Sequence, residues 1–133
     1  MTLSAPADYT ALPAALAAQG VTALDVVIAN AGAASGWHAV LGTTPEDAAA
    51  DMDVNAAGPL RLFQAAWPLL QARGPGAKIV FMGSSLGSIG GLEQESLTGV
   101  GYGMAKAAVH YLAKKIAVDF KAEGLVVGIL HPG

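Results

Sequence analysis

Three short apolar runs, separated by much longer stretches, place the strictest limit on how this chain of 133 residues can fold. The runs are LDVVIANAG at 24–32, AKIVFMGSS at 77–85 and LVVGILHPG at 125–133. Each is almost continuously apolar, is rich in β-branched residues and ends in turn-forming residues. This pattern is typical of strands that are covered on both faces in a parallel sheet. We therefore expect three buried parallel strands.

Helix signals fill the stretches between these runs. The clearest lies at Thr44, Pro45, Glu46 and Asp47. It combines a capping hydroxyl, a proline in the first turn and two acids near the positive end of the helix dipole. This start predicts a helix over 45–72.

Two further helices complete the predicted fold. One covers 101–123, with Gly124 placed to cap its C-terminal end. The other is weaker and lies near 7–19, where Pro13 makes the start hard to define. The apolar stripe of the helix over 101–123 consists of Ala105, Val109, Leu112, Ile116 and Phe120. The order α-β-α-β-α-β predicts an α/β fold with a parallel sheet.

The ends of the predicted strands are the natural place for a ligand, because open α/β sheets bind ligands beyond the carboxyl ends of their strands. Those ends are at 30–32, 83–85 and 131–133, and each carries polar or turn-forming residues. Taken alone, the pattern is ambiguous, since strand ends are rich in turn residues whether or not they bind anything.

The composition excludes several classes of function. The formal net charge is −3 and charged residues are few, which gives no sign of a nucleic-acid surface. The sequence has no cysteine, so it has neither a disulfide framework nor a thiolate metal site. The spacing of its three histidines, His38, His110 and His131, does not indicate a metal. We expect His110 on a helix surface and His131 packed at a strand end.

Targeting signals are not found by the same reading. No apolar run approaches the roughly 18 residues of a membrane span, and the first ten residues lack the basic-then-apolar order of a signal peptide. We therefore expect a cytoplasmic protein that has neither a membrane nor a nucleic acid as a partner.

The segment 99–115 contains the spacing Tyr-x-x-x-Lys twice, as Tyr102 with Lys106 and as Tyr111 with Lys115. Residues four apart share a helix face. A phenol in water ionises near pH 10, and a nearby ammonium group favours the phenolate, so such a pair can exchange a proton with a carbonyl or an alcohol. A helix after a strand starts near the strand's carboxyl end, which places Tyr102 at the site. Tyr111 lies about 13 Å farther along, and we expect that pair to be core plus surface.

Five segments, in order, resemble motifs of the short-chain dehydrogenase/reductase family. They are IANAG at 28–32, DVNAAGPLRL at 53–62, VFMGSSLGS at 80–88, YGMAKAAVHYLAKKIA at 102–117 and HPG at 131–133. The first departs from the family's Asn-Asn-Ala-Gly because Ala29 replaces the leading asparagine. No single match is specific, but together they span nearly the whole chain.

The resemblance implies a role for each matching residue. It makes Tyr102 the acid-base residue and Lys106 its activator, with Ser85 bonding the substrate oxygen and Asn55 completing a water relay to Lys106. The residues that it implies for cofactor binding are Asn30, Ala31, Gly32, Tyr102, Lys106, Pro132 and Gly133. The implied reaction is the NAD(P)-dependent interconversion of a ketone and a secondary alcohol. Either NADP or NAD is expected, with a slight preference for NADP, and the substrate is a small-molecule carbonyl compound or alcohol.

The role of Asn55 also has support from the sequence itself. Pro59 follows four residues later and has no N–H, so within a helix the Asn55 carbonyl loses its usual donor. A carbonyl freed in this way at a helix kink can accept a water. The alternative is that Pro59 only kinks the helix to fit the sheet.

The catalytic serine has an alternative. The gap between Ser85 and Tyr102 is longer than is usual in the family, so either the segment 87–100 carries an insertion or Ser88 takes the role. We prefer Ser85, because it follows the strand directly. Three residues of this segment, Glu93, Glu95 and Leu97, either line the substrate site or belong to a solvated loop.

A different enzyme class remains to be weighed. Gly83-Ser84-Ser85-Leu86-Gly87 fits the Gly-x-Ser-x-Gly turn of α/β-hydrolases, and Asp119 and His131 follow in the hydrolase order. That reading requires a helix directly after Ser85, where Gly90 and Gly91 argue against one. The spacing of Gly83, Gly87 and Gly90 also resembles that of a dinucleotide-binding loop. The same objection applies, because no helix is expected to open there to bind a pyrophosphate.

The family's N-terminal glycine-rich βαβ unit and its C-terminal substrate segment have no counterpart in the 133 residues. We therefore expect 1–133 to form a single partial NAD(P)-binding Rossmann-like domain containing the family's strands 4, 5 and 6. Because the phosphate-binding unit has no counterpart, we expect turnover by these 133 residues to be very weak or absent. The alternative to membership of a working oxidoreductase is a catalytically silent fragment or interaction module. Homo-oligomers could form through helices 45–72 and 101–123 or through exposed strand edges.

Overall fold

The structure, a computed structural model, describes residues 6–133. Its helices are α1 (Pro6–Ala17), α2 (Pro45–Met52), α3 (Gly58–Arg73) and α4 (Val100–Asp119), and its strands are β1 (Val26–Ala29), β2 (Lys78–Met82) and β3 (Val126–Leu130). A π-helical turn, Asp53–Ala57, joins α2 to α3. Short 3₁₀ turns occupy Val40–Gly42, Ser85–Gly87 and Ile89–Gln94. The helix predicted near 7–19 is therefore confirmed as α1, with Pro13 inside it.

The three strands form one parallel sheet in the order β1-β2-β3. In the register of the sheet, Val27 pairs with Ile79 and Ile79 pairs with Val127. The predicted α/β class and the parallel pairing of the three apolar runs are both confirmed. Because the strands are parallel, their carboxyl ends meet at one edge of the sheet.

The sheet is covered on one face only within the described residues, so the prediction of strands buried on both faces is wrong. Ile79 and Phe81 are fully buried against α3 and α4 together with Val27. The alternate residues point the other way, and Val26 and Ile28 are 45% and 56% exposed. The reason is topological: each right-handed crossover steps to the next strand in the same direction, so both crossover helices lie on the same face.

The helix predicted over 45–72 starts and ends close to the expected places but is not a continuous α-helix. Thr44 caps α2 by accepting a hydrogen bond from Asp47 N, and the helical path ends at Arg73. Between α2 and α3 the backbone widens into the π-turn, in which Gly58 N donates to the carbonyl of Asp53, five residues earlier. The widening directly precedes Pro59, which has no N–H for the normal ladder.

Helix α4 is shorter than predicted, since it ends at Asp119 and not at 123. Gly124 adopts a φ of +71° and closes the turn that follows the helix rather than capping the helix itself. The predicted apolar stripe is confirmed: Val109 and Ile116 are buried in the core, and Phe120 packs against it. This packing orients α4 so that its first turns lie beside the carboxyl end of β2.

No helix among the described residues is long and apolar enough to cross a membrane.

Candidate active site

A cavity of about 690 Å³ lies at the carboxyl edge of the sheet. It is bounded by the loop after β1, the turn after β2, the first turns of α4 and the chain after β3. Most of the predicted site residues line it, namely Asn30, Gly32, Ser85, Tyr102, Lys106, Pro132 and Gly133. The expectation that strand ends form the ligand site is thus matched by a cavity at that edge.

Two predicted site residues lie outside the cavity lining. Ala31 instead lines a neighbouring hollow of about 340 Å³ together with Asn30 and Pro59. Asn55 is only 1% exposed and lies directly behind Gly32. It therefore contacts the wall of the cavity and not the cavity itself.

Lys106 is the buried cation of the site, with 3% of its surface exposed. Its Nζ donates a hydrogen bond of 2.8 Å to the carbonyl of Met82, the last residue of β2. Nζ also lies 5.2 Å from the centre of the Tyr102 ring, within reach of a favourable cation–π interaction. Burial lowers the pKa of Lys106 below its ordinary value, because an ammonium group loses hydration in the protein interior.

Tyr102 is half-buried in the first turn of α4, where the sequence predicts it. The ring of Trp37, in the loop after β1, lies against it with centroids 5.6 Å apart. The segment before α4 supports this contact: the Thr98 hydroxyl donates to the Trp37 carbonyl at 2.9 Å, and Gly99 leaves space where a Cβ would lie 2.8 Å from the indole. The loop after β1 is thereby attached to the start of α4, next to the phenol.

Asn55 holds the loop after β1 in place through its side chain. Its Nδ2 donates to the carbonyls of Ala33 and Asp51 at 2.7 and 2.9 Å, and its Oδ1 accepts from Ala33 N at 3.2 Å. A Cβ placed on Gly32 would lie 3.0 Å from Asn55 Oδ1 and 3.7 Å from Lys106 Nζ. The structure thus brings Asn55 and Lys106 together around Gly32. A water relay between them stays a prediction.

Asp51 is a second buried polar residue that supports the site, and sequence reasoning missed it. It is 2% exposed, and its Oδ1 accepts a 2.7 Å hydrogen bond from Ser35 N in the loop after β1. A Cβ on Gly101, in the first turn of α4, would lie 2.7 Å from Asp51 Oδ2, so the glycine leaves room for this carboxyl. A signal was available, because Asp51 and Asn55 are four residues apart and so share a helix face.

Ser85 lines the cavity, and its Oγ donates a 2.5 Å hydrogen bond to Oε2 of Glu95. This bond is the main cause that lowers the pKa of the Glu95 carboxyl. Leu97, from the same segment, also lines the cavity. Ser88 is not part of the lining. The choice of Ser85 over Ser88 as the catalytic serine stays a prediction.

The hydrolase reading fails on the structure. Ser85–Gly87 and Ile89–Gln94 are 3₁₀ turns, so no α-helix follows Ser85. Asp119 lies at the far end of α4, where it pairs with Lys115. The dinucleotide-loop reading of the same glycines fails for the same reason, because no helix N-terminus opens there.

The second Tyr-x-x-x-Lys pair is remote from the cavity, as predicted, but it is not core plus surface. Tyr111 is 72% exposed, and Lys115 is exposed and paired with Asp119. The face of α4 that carries them points to solvent, since the buried stripe occupies the opposite side.

Both histidine predictions near the site are wrong. His110 is half-buried against the turn after β2, because Gly83 and Gly87 leave room for its ring. His131 is exposed at the end of β3 and lines the cavity rather than packing. Helix periodicity could not reveal the position of His110, because the contact depends on a turn 26 residues earlier.

Comparison with known proteins adds to this geometry. A family model described as enoyl-(acyl carrier protein) reductase matches residues 3–133. The short-chain dehydrogenase srdF of Neurospora crassa is 37% identical over 127 residues, covering 95% of this chain and 49% of that protein. The chain belongs to the short-chain dehydrogenase/reductase family.

Two further members resemble the chain closely. The norsolorinic acid ketoreductase nor1 of Dothistroma septosporum is 37% identical over 119 residues, covering 87% of this chain and 43% of that protein. The crystal structure of NADPH-bound carbonyl reductase from chicken fatty liver superposes with a TM-score of 0.89 at 27% identity, covering 97% of this chain and 54% of that one. The partial Rossmann-like sheet of this family member is therefore confirmed, and the chain spans about half the length of the relatives that it matches.

Proposed function

We propose that this family member is an NAD(P)-dependent oxidoreductase that interconverts a ketone and a secondary alcohol, with Tyr102 as the acid-base residue. The observation that carries the proposal is the position of Lys106. A buried lysine, bonded to the end of β2 and 5.2 Å from the Tyr102 ring, places a positive charge beside a phenol at the cavity wall. That arrangement lowers the cost of forming the phenolate.

The proposed reaction needs one proton and one hydride. When bound, NAD(P)H would supply the hydride for the carbonyl carbon. The hydroxyl of Tyr102 gives its proton to the carbonyl oxygen, and the Lys106 ammonium stabilises the phenolate that remains. Ser85 donates a hydrogen bond to the same oxygen once its hydroxyl turns from Glu95. Alcohol oxidation follows these steps in reverse.

The residues present fit the nicotinamide end of such a cofactor. Gly32 has no side chain, and a Cβ there would fill the space between Asn55 Oδ1 and Lys106 Nζ. Asn30, which offers an amide, also lines the cavity, as do Pro132 and Gly133. We propose that Asn30, Gly32, Tyr102 and Lys106 hold the ribose and nicotinamide. NADP is slightly preferred over NAD, and the substrate is a small-molecule ketone or secondary alcohol.

The proposal also covers the domain as a whole and its contacts with other copies. We propose that residues 1–133 supply the catalytic side chains of a Rossmann-like domain. The exposed outer residues of β1 and β3, including Val26, Ile28 and Leu130, form an apolar surface. Contact between copies through such strands, or through the helices over 45–72 and 101–123, stays a prediction.

Two matched variants test the function. The purified 133-residue chain is titrated with NADPH and with NADH by calorimetry, and carbonyl reduction is followed by the loss of NADPH absorbance. Tyr102→Phe removes only the hydroxyl, so we expect turnover to fall by about 100-fold or more. Cofactor affinity should fall much less, because Asn30, Gly32 and Lys106 keep their contacts. Tyr111→Phe is the control, because it lies in the same spacing on the exposed face of α4, and it should leave turnover unchanged.

The outcomes separate the working enzyme from the silent fragment. Saturable cofactor binding, with turnover that vanishes in Tyr102→Phe alone, supports the proposal. If no cofactor binds up to about 1 mM, the proposal is contradicted for this chain. A Kd of about 1 mM corresponds to a binding free energy of only about 4 kcal/mol. Turnover that survives in Tyr102→Phe would contradict the role given to Tyr102.

A further inference from the structure

The turn after β2 is attached to α4 by one imidazole. Nε2 of His110 accepts a hydrogen bond from Ser84 N at 3.3 Å, and the ring also lies against Gly87, where a Cβ would come within 2.8 Å of His110 Cε1. Ser84 and Gly87 lie at opposite ends of a tight turn that contains Ser85, in which Gly87 N donates to the Ser84 carbonyl at 3.0 Å. The ring therefore bridges the turn from outside.

The two glycines of the Gly-x-x-x-Gly pattern at 83–87 are explained by this contact. A Cβ on Gly83 would lie 2.8 Å from His110 Nε2, and a Cβ on Gly87 would lie 2.8 Å from His110 Cε1. The Cβ on Gly87 would also lie 2.7 Å from the backbone carbonyl carbon of Lys106, in α4. Any side chain at either position would push the ring or the helix away from the turn, because real Cβ contacts are longer than these.

We propose that His110, in its neutral form, is a positioning residue that holds the turn 84–87, and with it Ser85, against α4. The role of Ser85 toward a substrate rests on the proposed function, but the attachment of the turn does not. A neutral imidazole carries one acceptor nitrogen, which is what the Ser84 N–H requires. The protonated ring has two donors, so it would face the Ser84 N–H with another N–H.

The charges around the ring favour the neutral form near pH 7. Burial lowers the pKa of His110 below its ordinary value, and the ammonium of Lys106, one turn earlier on α4, lowers it further. Contact with the Gly87 backbone acts in the opposite direction. His131, at the end of β3, lines a hollow of about 180 Å³ together with His110 and Ser85, and Glu95 reaches Ser85 from the following turn.

The first test is an NMR titration of backbone amides between about pH 4.5 and 8, the range in which imidazoles titrate. In the wild-type chain, the amide signals of Ser84 and Ser85 should shift with a midpoint equal to that of the His110 ring and below that of an ordinary histidine. In His110→Gln this transition should disappear while the signals stay close to their neutral positions, because glutamine also offers an acceptor and a donor. His131→Gln is the matched control and should leave the transition intact.

The second test is hydrogen exchange at the same turn. His110→Phe keeps a ring at this position but removes the acceptor nitrogen. Exchange of the Ser84 amide should then accelerate about tenfold, the effect of losing one net hydrogen bond. The proposal is overturned if the Ser84 transition survives in His110→Gln, if it follows His131, or if His110→Phe leaves exchange unchanged. Should His110→Phe not fold, the wild-type and His110→Gln titrations decide. Neither test uses a cofactor, so a failure of the proposed oxidoreductase activity is distinguishable from a failure of this inference.

Discussion

Replacing Asn55 by aspartate would turn two hydrogen bonds into repulsive contacts without changing the size of the side chain. In the wild-type chain, Nδ2 donates to the carbonyls of Ala33 and Asp51, while Oδ1 accepts from Ala33 N. An ionised aspartate has only acceptors. It would keep the bond from Ala33 N but would place an oxygen within about 3 Å of two carbonyl oxygens.

The expected cost follows from the burial of this side chain, which is 1% exposed. Leaving a buried polar group unpaired costs about 1–3 kcal/mol, and an uncompensated buried charge brings the total to about 3–5 kcal/mol near pH 7. That is a large share of the 5–15 kcal/mol by which a typical domain is stable. Asn30→Asp is the matched control, since Asn30 is the other asparagine of the chain and is exposed. It should change stability by less than about 0.5 kcal/mol.

The cost should depend on pH with a definite sign. Facing two carbonyls, the new carboxyl at position 55 favours its protonated form, so its folded-state pKa should exceed the value of about 3.9 in the unfolded chain. A protonated carboxyl can donate one of the two lost bonds. The penalty of Asn55→Asp is therefore smallest at acid pH and grows as the pH rises through the folded-state pKa.

Urea unfolding followed by circular dichroism, at about pH 4.5 and 7, measures this difference. The reasoning would be refuted by a cost below about 1 kcal/mol at pH 7, or by the same cost at both pH values. Either result would mean that the Asn55 side chain does not hold the loop after β1 by the bonds described.

Two further predictions concern the support of α4. Gly101→Ala would bring a Cβ within 2.7 Å of Asp51 Oδ2 and 3.1 Å of the Ala48 Cα in α2, so it should lower the free energy of unfolding by about 1–3 kcal/mol through overpacking. Gly90→Ala is the control and should be neutral, because a Cβ there meets nothing within 4 Å. Equal urea midpoints for the two variants would disprove the contact. Because burial lowers the pKa of Lys106, the folded protein releases this proton at a lower pH than the unfolded chain, so wild-type stability should rise relative to Lys106→Met as pH increases toward the ordinary lysine value. Parallel stability curves for these two proteins would contradict that shift.

Family membership alone does not decide how the site is supported. The Lys106–Tyr102 pair at the cavity is what the motif implies, but the motif does not specify its surroundings. Trp37 lies against the phenol, Glu95 accepts the hydrogen of Ser85, and His110 bridges the turn below. None of these three contacts follows from the motif, and each depends on segments of the chain that are distant in sequence.

The sequence by itself determined the strands, the helices that cover them and the edge at which the site forms. Apolar, β-branched runs of this length are stable only when buried in a sheet, and strands joined by helices become parallel. The position of Tyr102 follows as well, because a helix that begins at a strand end must present its first turn there. Even the disturbance before Pro59 is a local consequence of a missing N–H.

Only the tertiary structure decided what surrounds those residues. The placement of both crossover helices on one face of the sheet, which leaves the outer face uncovered by the described residues, results from two crossovers of the same hand, which no single strand encodes. The burial of His110 and Asp51 depends on glycines, Gly87 and Gly101, that let a turn and two helices approach closely. Such contacts are set by the distance between backbones far apart in the chain, whereas periodicity records only which face of one element avoids water.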